Sequence, residues 1–469
     1  MAPPADPRPG RHLRRRFLAV ILVALIVGTA GITAISLGRS AGWSWPGGGL
    51  AAIVNPGTAT PAPVPSAEIS ASPPAPSAAT SPSPTSAIDP PYPPPTRQPD
   101  SPTAAERRAI AIRTQLQARL DRDRRRYGIP GISVTILFRD GSSWTGTSGL
   151  ADVAKRTPVT ADTAFALASV SKTYTAALIV ALAGEGRIDL GAPAWSYLPN
   201  AKIDRRITVR MLLDHTSGLD DYFLHPPIDK ALQAHRDATW SAARALRYVG
   251  KRYFEPGTGW HYSNTNYLYL GLIAERVTGT TIAAALRDRF FIPLHLGATW
   301  YQAVEKPRSK LAHGYRFVGT KASATPIDLA DGTGVAPFRS VVTAAGGAGS
   351  IAATSGDLAR WARLLYGGTA IGPAQTAMMV DDIATTAGYR PRVPYGLGVQ
   401  VFPIDGRMSF GHSGRLLGFR SAARHIPGEA TTIAVLTNQS RTDPGVIVQH
   451  LLSIVFSPGP PCFRCSHPT

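Results

Sequence analysis

Proline, alanine, serine and threonine dominate residues 47–102, with runs such as Ser81-Pro82-Ser83-Pro84 and Pro90-Pro91-Tyr92-Pro93-Pro94-Pro95. Such a segment buries too little apolar surface to offset the entropy of ordering it. Its prolines favour an extended, semi-rigid spacer. About 55 residues at ~3.1 Å each reach on the order of 170 Å when fully extended. This stretch removes much of the first hundred residues from any globular core and confines folding to the chain beyond it. The spacer is assigned to residues 38–103.

Before it lies a nearly unbroken apolar run over 17–37, free of charge and preceded by Arg11, Arg14, Arg15 and Arg16. About 20 apolar residues suffice to span a bilayer as a helix. The arginines predict that segment 1–16 stays in the cytoplasm and that the rest of the chain crosses. The competing reading is a cleaved signal peptide, with Ala34-Ile35-Ser36 as an imperfect cleavage site. The run exceeds the usual apolar core of about 7–15 residues, so a retained anchor is favoured. The expectation is a single-pass membrane protein with its folded domain outside the cytoplasm, or a secreted one if the anchor is cleaved. No Cys follows the run, which argues against lipidation.

Formal net charge is +19. Membrane surfaces and anionic wall polymers suit such a balance, but most of the charge is dispersed arginine. No basic run interleaves with aromatics, so a nucleic-acid partner is not expected. The two cysteines, Cys462 and Cys465, stand in a tail assigned to 458–469. A metal site needs about four ligands and only His467 is near, so no metal is expected. A small local disulfide is the alternative in an oxidising compartment.

The folded domain is placed at 104–457. An arginine-rich helix is predicted over 104–126, with Ile110, Ile112, Leu116 and Leu120 as its apolar stripe. Residues 132–138 are rich in β-branched side chains and read as a strand, followed by a turn at Asp140-Gly141 and a strand near 143–148. Ala/Leu/Val runs over 171–185 and 266–277 read as helices. Strands return at 398–402, 419–426 and 432–437, and a helix over 445–456 closes the domain. Strands from both ends around a helical middle predict an α+β fold. It would be a mixed antiparallel sheet flanked by the terminal helices, with a helical subdomain.

Three short elements carry chemistry. Ser169-Val170-Ser171-Lys172 holds the only Ser-x-x-Lys of the chain. Three residues along a helix return a side chain to the same face, which puts Lys172 beside Ser169 as its base. Lys172 must be neutral for that work; burial and a nearby cation would both favour this. Tyr262-Ser263-Asn264 offers a phenol for proton transfer and an amide to orient substrate or Lys172. His412-Ser413-Gly414 falls between two predicted strands. Gly414 lets backbone approach a ligand, and the Arg415 N–H would join that of Ser169 as an oxyanion hole. His412 would protonate or hydrogen-bond a substrate carboxylate. A similar His295-Leu296-Gly297 reads as a loop. Asp214-His215 hints at a Ser-His-Asp relay, but adjacent residues point apart, so a structural role is expected for His215.

Taken in order, these elements resemble the serine β-lactamase and penicillin-binding superfamily, in its class C β-lactamase and DD-peptidase-like branch. Leu212-Leu213-Asp214-His215-Thr216-Ser217-Gly218-Leu219, Phe254-Glu255-Pro256-Gly257, Thr354-Ser355-Gly356-Asp357-Leu358-Ala359 and Gly411-His412-Ser413-Gly414 strengthen the resemblance. It implies that Ser169 forms an acyl-enzyme, that Lys172 and Tyr262 manage its proton, and that Asn264 positions the substrate amide. No cofactor is implied. His412 stands where class C β-lactamases usually carry Lys. That departure turns the expectation toward DD-carboxypeptidase, D-aminopeptidase or esterase-like members, acting on peptide, ester or β-lactam substrates, with wall peptidoglycan as a partner. An esterase, a weak β-lactamase and a non-catalytic penicillin-binding wall protein are the alternatives.

Overall fold

The computed structural model describes residues 103–317, 326–384, 386 and 393–457. The segments 1–16 and 17–37, the spacer up to residue 102, and the tail 458–469 with Cys462 and Cys465 lie outside the described residues. Among the described residues no helix is long and apolar enough to cross a membrane.

Strand β1 (Gly131–Leu137) shows how sequence sets the layers. Ile132, Val134 and Ile136 alternate onto one face and are fully buried. There they meet Leu116 and Leu120 of helix Ala104–Arg126 and Ile447, Val448, Leu451 and Leu452 of helix Pro444–Phe456. Ser133 and Thr135 face the other way and share hydrogen bonds at 2.8 Å with Ser355 Oγ, on helix Ser355–Tyr366. Buried hydroxyls on this face are thereby paired between sheet and helix.

The remaining strands are β2 (Ser143–Asp152), β3 (Thr157–Pro158), β4 (Phe165–Ala166), β5 (Thr299–Tyr301), β6 (Tyr315–Phe317), β7 (Pro326–Asp328), β8 (Ile351–Ala353), β9 (Gln400–Ile404), β10 (Arg407–Leu416), β11 (Phe419–Ile426) and β12 (Thr431–Thr437). Six of them join β1 in one seven-stranded sheet, in the order β3-β2-β1-β12-β11-β10-β9. Every pairing in it is antiparallel. β1 lies against β12, with Ile132 opposite Thr437, so the two ends of the domain close the sheet at its centre. The α+β arrangement anticipated from sequence is the one observed.

Between β4 and β9 the chain is largely helical, and its core is built on helices Ser171–Gly184 and Asn264–Thr278. Helix Ser171–Gly184 is buried from Ser171 to Leu182. Tyr174 stacks on Trp361 at 4.0 Å between ring centres, and Trp361 Nε1 donates to Thr173 Oγ1 at 2.9 Å. A helix apolar on all sides is a core helix, and this one is held on every side.

One departure concerns the segment around His412. The sequence places it between strands, whereas it is the middle of β10, paired with β11 from Phe410↔His425 to Leu416↔Phe419. Two glycines and no β-branched residue weaken its strand signal. Hairpin pairing with the flanking strands β9 and β11 supplies what the residues' own propensity lacks.

Candidate active site

The turn Ala168–Val170 precedes helix Ser171–Gly184 and carries Ser169 at its centre. From Thr163 to Leu182, Ser169 alone is not buried. Ala168 just before it holds φ at +50°, a conformation that costs a non-glycine residue about 1–3 kcal/mol. Packing from the sheet holds the turn in this conformation. Ser421 Oγ on β11 donates to Leu167 O at 2.6 Å. Gly414 on β10 lies so close that a Cβ there would sit 2.3 Å from Leu167 O and 3.1 Å from Ala168 Cβ.

Lys172, one turn on, is wholly buried. Its Nζ lies 3.3 Å from Ser169 Oγ, 2.7 Å from Asn264 Oδ1 and 2.9 Å from Ala348 O. The last two are carbonyl oxygens and can only accept. A neutral amine has two N–H groups for these two acceptors, which directs its lone pair at Ser169. Burial holds the Lys172 ammonium well below the ordinary lysine range, with the Asp221 carboxylate pulling the opposite way. Of the two influences that would favour the neutral amine, burial is the one that acts; the neighbouring charge is an anion and opposes it. The rings of Tyr262 and Tyr267 lie 5.0 and 5.3 Å from Nζ, within cation–π range of the protonated form.

Tyr262 and Asn264 sit at the start of helix Asn264–Thr278. Asn264 Nδ2 donates to Asp221 Oδ2 at 2.9 Å, which leaves Oδ1 facing Lys172. Tyr262 packs against His215, with ring centres 4.3 Å apart and the planes tilted by 38°. His215 Nδ1 accepts from Ser263 N–H at 3.2 Å and from Asn266 Nδ2 at 3.0 Å, which fixes the neutral Nε2–H tautomer. Burial first, and then the Lys172 charge, push the His215 pKa well below the usual imidazole value. The Asp214 carboxylate accepts from the Thr216 N–H and hydroxyl at 2.9 and 2.6 Å. No Ser-His-Asp relay is formed; His215 supports the Tyr262 ring.

His412 lies on the face of β10 that looks toward this cluster, its ring 6.2 Å from that of Tyr262. Its Nδ1 is 2.6 Å from Ser413 O and its Nε2 is 2.9 Å from Tyr395 Oη. The carbonyl forces Nδ1 to donate, so Nε2 accepts from the phenol. Burial, then the Lys172 charge, push the His412 pKa down to about 3. Both ring nitrogens are engaged within the protein and the ring is neutral. In this arrangement His412 bonds Tyr395 through Nε2.

A two-residue loop, Leu417-Gly418, joins β10 to β11, so hydrogen-bonded pairs alternate back from Leu416↔Phe419. Arg415↔Arg420 is a non-bonded pair by this parity, and the Arg415 N–H and C=O point away from β11. Ser413 shares the parity, and its N–H donates to Gln400 Oε1 at 3.1 Å. β9 covers β10 only as far as Gly411. Gly414, the neighbour of Arg415, lies against the Ser169 turn.

Two further groups carry little signal in the sequence. Asp221 lies just past the motif that ends at Leu219, and Asp220-Asp221 has the look of a solvated turn. Arg424, on β11 opposite Gly411, is buried, stacks 4.0 Å from the Phe402 ring centre and donates to Gln400 Oε1. Among the described residues, Asp152, His313 and Asp328 gather enough ligand atoms for a metal ion. His313 Nδ1 already pairs with Asp328 at 2.8 Å and Lys155 lies 3.8 Å from Asp152.

The sequence profile of the Beta-lactamase family matches residues 112–452. Penicillin-binding protein 4 of Amycolatopsis lactamdurans is 30% identical over 340 residues, which is 69% of this chain and 84% of that protein. D-aminopeptidase of Brucella anthropi is 27% identical over 326 residues, covering 66% of this chain and 56% of its own. Among solved structures, D-amino acid amidase from Ochrobactrum anthropi SV3 complexed with D-phenylalanine superposes with a TM-score of 0.64 at 23% identity. It covers 74% of this chain and 99% of that one.

Proposed function

Since the chain belongs to the β-lactamase family, within a group of serine hydrolases that includes penicillin-binding and D-aminopeptidase relatives, we propose that it is a DD-carboxypeptidase-like acyl hydrolase of D-amino-acid peptides, anchored outside the cytoplasm. The observation that carries this reading is the Lys172 amine, held by two carbonyl acceptors with its third direction on Ser169 Oγ.

The mechanism rests on that geometry. The substrate carbonyl oxygen enters the site of the Ser169 and Arg415 N–H groups. Lys172 takes the Ser169 proton as Oγ attacks the carbonyl carbon. Tyr262, packed over Lys172, hands a proton to the leaving amine, and the C–N bond breaks to give an acyl-Ser169 ester. Water then attacks the ester, with the Lys172–Tyr262 pair accepting its proton; the ester C–O bond breaks as the Lys172 ammonium returns a proton to Ser169 Oγ, which restores the neutral amine and the hydroxyl.

Strand β10 bears on substrate polarity. Gln400 links Ser413 to the buried Arg424, since Gln400 Oε1 accepts from both, which places a cation behind the Ser413 segment of β10. That supports a substrate bearing a free carboxylate. The neutral, doubly engaged His412 favours a second reading, an esterase or amidase for uncharged ends. The net charge of +19 and the apolar run at 17–37 support placement at an anionic wall or membrane surface.

Turnover of a D-Ala-D-Ala peptide, a D-amino acid amide, a p-nitrophenyl ester and nitrocefin separates these readings, with Ser169→Ala as control. The proposal expects the peptide acid to give the highest kcat/KM. Preference for the ester or amide selects the second reading.

A further inference from the structure

Asp221 is fully buried. It caps the turn Tyr222–Leu224, its Oδ1 accepting from Phe223 N–H at 3.1 Å. Capping alone does not call for a carboxylate. Hydroxyl side chains cap other helices of this chain, at Thr208, Ser241, Thr281 and Thr354. A buried carboxylate carries a heavy desolvation penalty, so its retention points to a second task. The second oxygen shows it: Oδ2 accepts from Asn264 Nδ2 at 2.9 Å, and Asn264 Oδ1 accepts from Lys172 Nζ at 2.7 Å. A carboxylate cannot donate, so it fixes which end of the Asn264 amide faces Lys172.

We propose that Asp221 is a positioning residue of the acyl-transfer site, acting on Lys172 through the Asn264 amide. The relay aims the amine lone pair at Ser169 and stabilises the ammonium that forms when Lys172 takes the Ser169 proton. In that step the Ser169 O–H bond breaks, an N–H bond forms on Lys172, and the Oγ electron pair bonds the substrate carbonyl carbon. Asn264 and Asp221 exchange no proton. The arrangement resembles in logic the aspartate that stabilises a nascent imidazolium in a serine triad, with an amide between base and anion. The inference rests on the hydrolase reading for its catalytic part, but the electrostatic coupling stands apart from it.

The groups that face the pair are His215, His412, Tyr262 and Tyr267 around Lys172, and Asp220, Tyr222 and Tyr253 around Asp221. Both histidines are held neutral, and the Asp221 carboxylate is the charge that opposes burial at Lys172.

The test combines lysine side-chain NMR titration with pH profiles of Ser169 acylation, in wild type and Asp221→Asn; Lys172→Met identifies the Lys172 resonance. Asparagine preserves the cap, so folding should survive. The Lys172 midpoint should fall by about one pH unit when the anion is removed. The acid limb of the acylation profile should move with it, and kcat should drop roughly ten- to a hundredfold with KM little changed. A folded Asp221→Asn variant with an unmoved Lys172 midpoint and wild-type acylation overturns the proposal. Reciprocity gives a reading that needs no Asp221 variant: Lys172→Met should raise the Asp221 carboxyl midpoint. An unmoved carboxyl midpoint counts against the relay. A wild type that acylates no substrate, yet shows the Lys172 shift, overturns the hydrolase reading and leaves the relay standing.

Discussion

Tyr395 Oη donates to His412 Nε2 at 2.9 Å, and the Ser413 carbonyl holds the opposite ring nitrogen at 2.6 Å. The pair joins β10 to the segment before β9 and fixes the tautomer of a ring 6.2 Å from Tyr262. Tyr395→Phe keeps the shape and removes the donor. An unsatisfied buried acceptor costs about 1–3 kcal/mol, so denaturant unfolding should show a loss of that size. Unchanged stability would mean the bond is not made in solution.

Gly414 meets Leu167 O, a backbone atom that has little room to move. Gly414→Ala should push the Ser169 turn off position. Displacement of about 1 Å at a nucleophile costs on the order of a hundredfold in rate, and overpacking about 1–3 kcal/mol in stability. Steady-state kinetics on the preferred substrate and a melting curve check both.

Lys172 acts as a base only when neutral, and burial shifts its titration downward. Below its midpoint the ammonium predominates and acylation is slow; above it the amine predominates and the rate rises. The acid limb of kcat/KM should therefore lie well below the ordinary lysine value of about 10.4. A limb at the ordinary value would show that Lys172 is not desolvated.

Arg424→Gln tests substrate polarity. Removal of the buried cation should lower kcat/KM for a peptide with a free carboxylate by roughly tenfold, about 1.4 kcal/mol. A neutral ester should be little affected. Equal losses on both would assign Arg424 to packing alone, through its contacts with Phe402 and Gln400.

Much of this molecule is legible in the residues. Alternating Ile132, Val134 and Ile136 announce a half-buried strand, and the apolar run after Lys172 announces a core helix. Ser169 and Lys172 declare their pairing because three helical residues make one turn. Strand β10 is not legible, since Gly411, Ser413 and Gly414 lack β propensity and only β9 and β11 make the segment extended. Asp221 is hidden for a related reason. Two adjacent acids normally mark solvent, and only the chain's return at Asn264, 43 positions later, buries one of them. The state of His412 is hidden too, because its partner Tyr395 is 17 positions away and ends in a different segment.

The central claim is that Ser169 is a nucleophile activated by Lys172. Intact-protein mass spectrometry after incubation with a fluorescent penicillin, followed by peptide mapping, tests it directly. The account predicts one covalent adduct on the peptide bearing Ser169, absent in Ser169→Ala and slowed by at least about a hundredfold in Lys172→Met. An adduct that persists in Ser169→Ala, or labelling unaffected by the loss of Lys172, would contradict it.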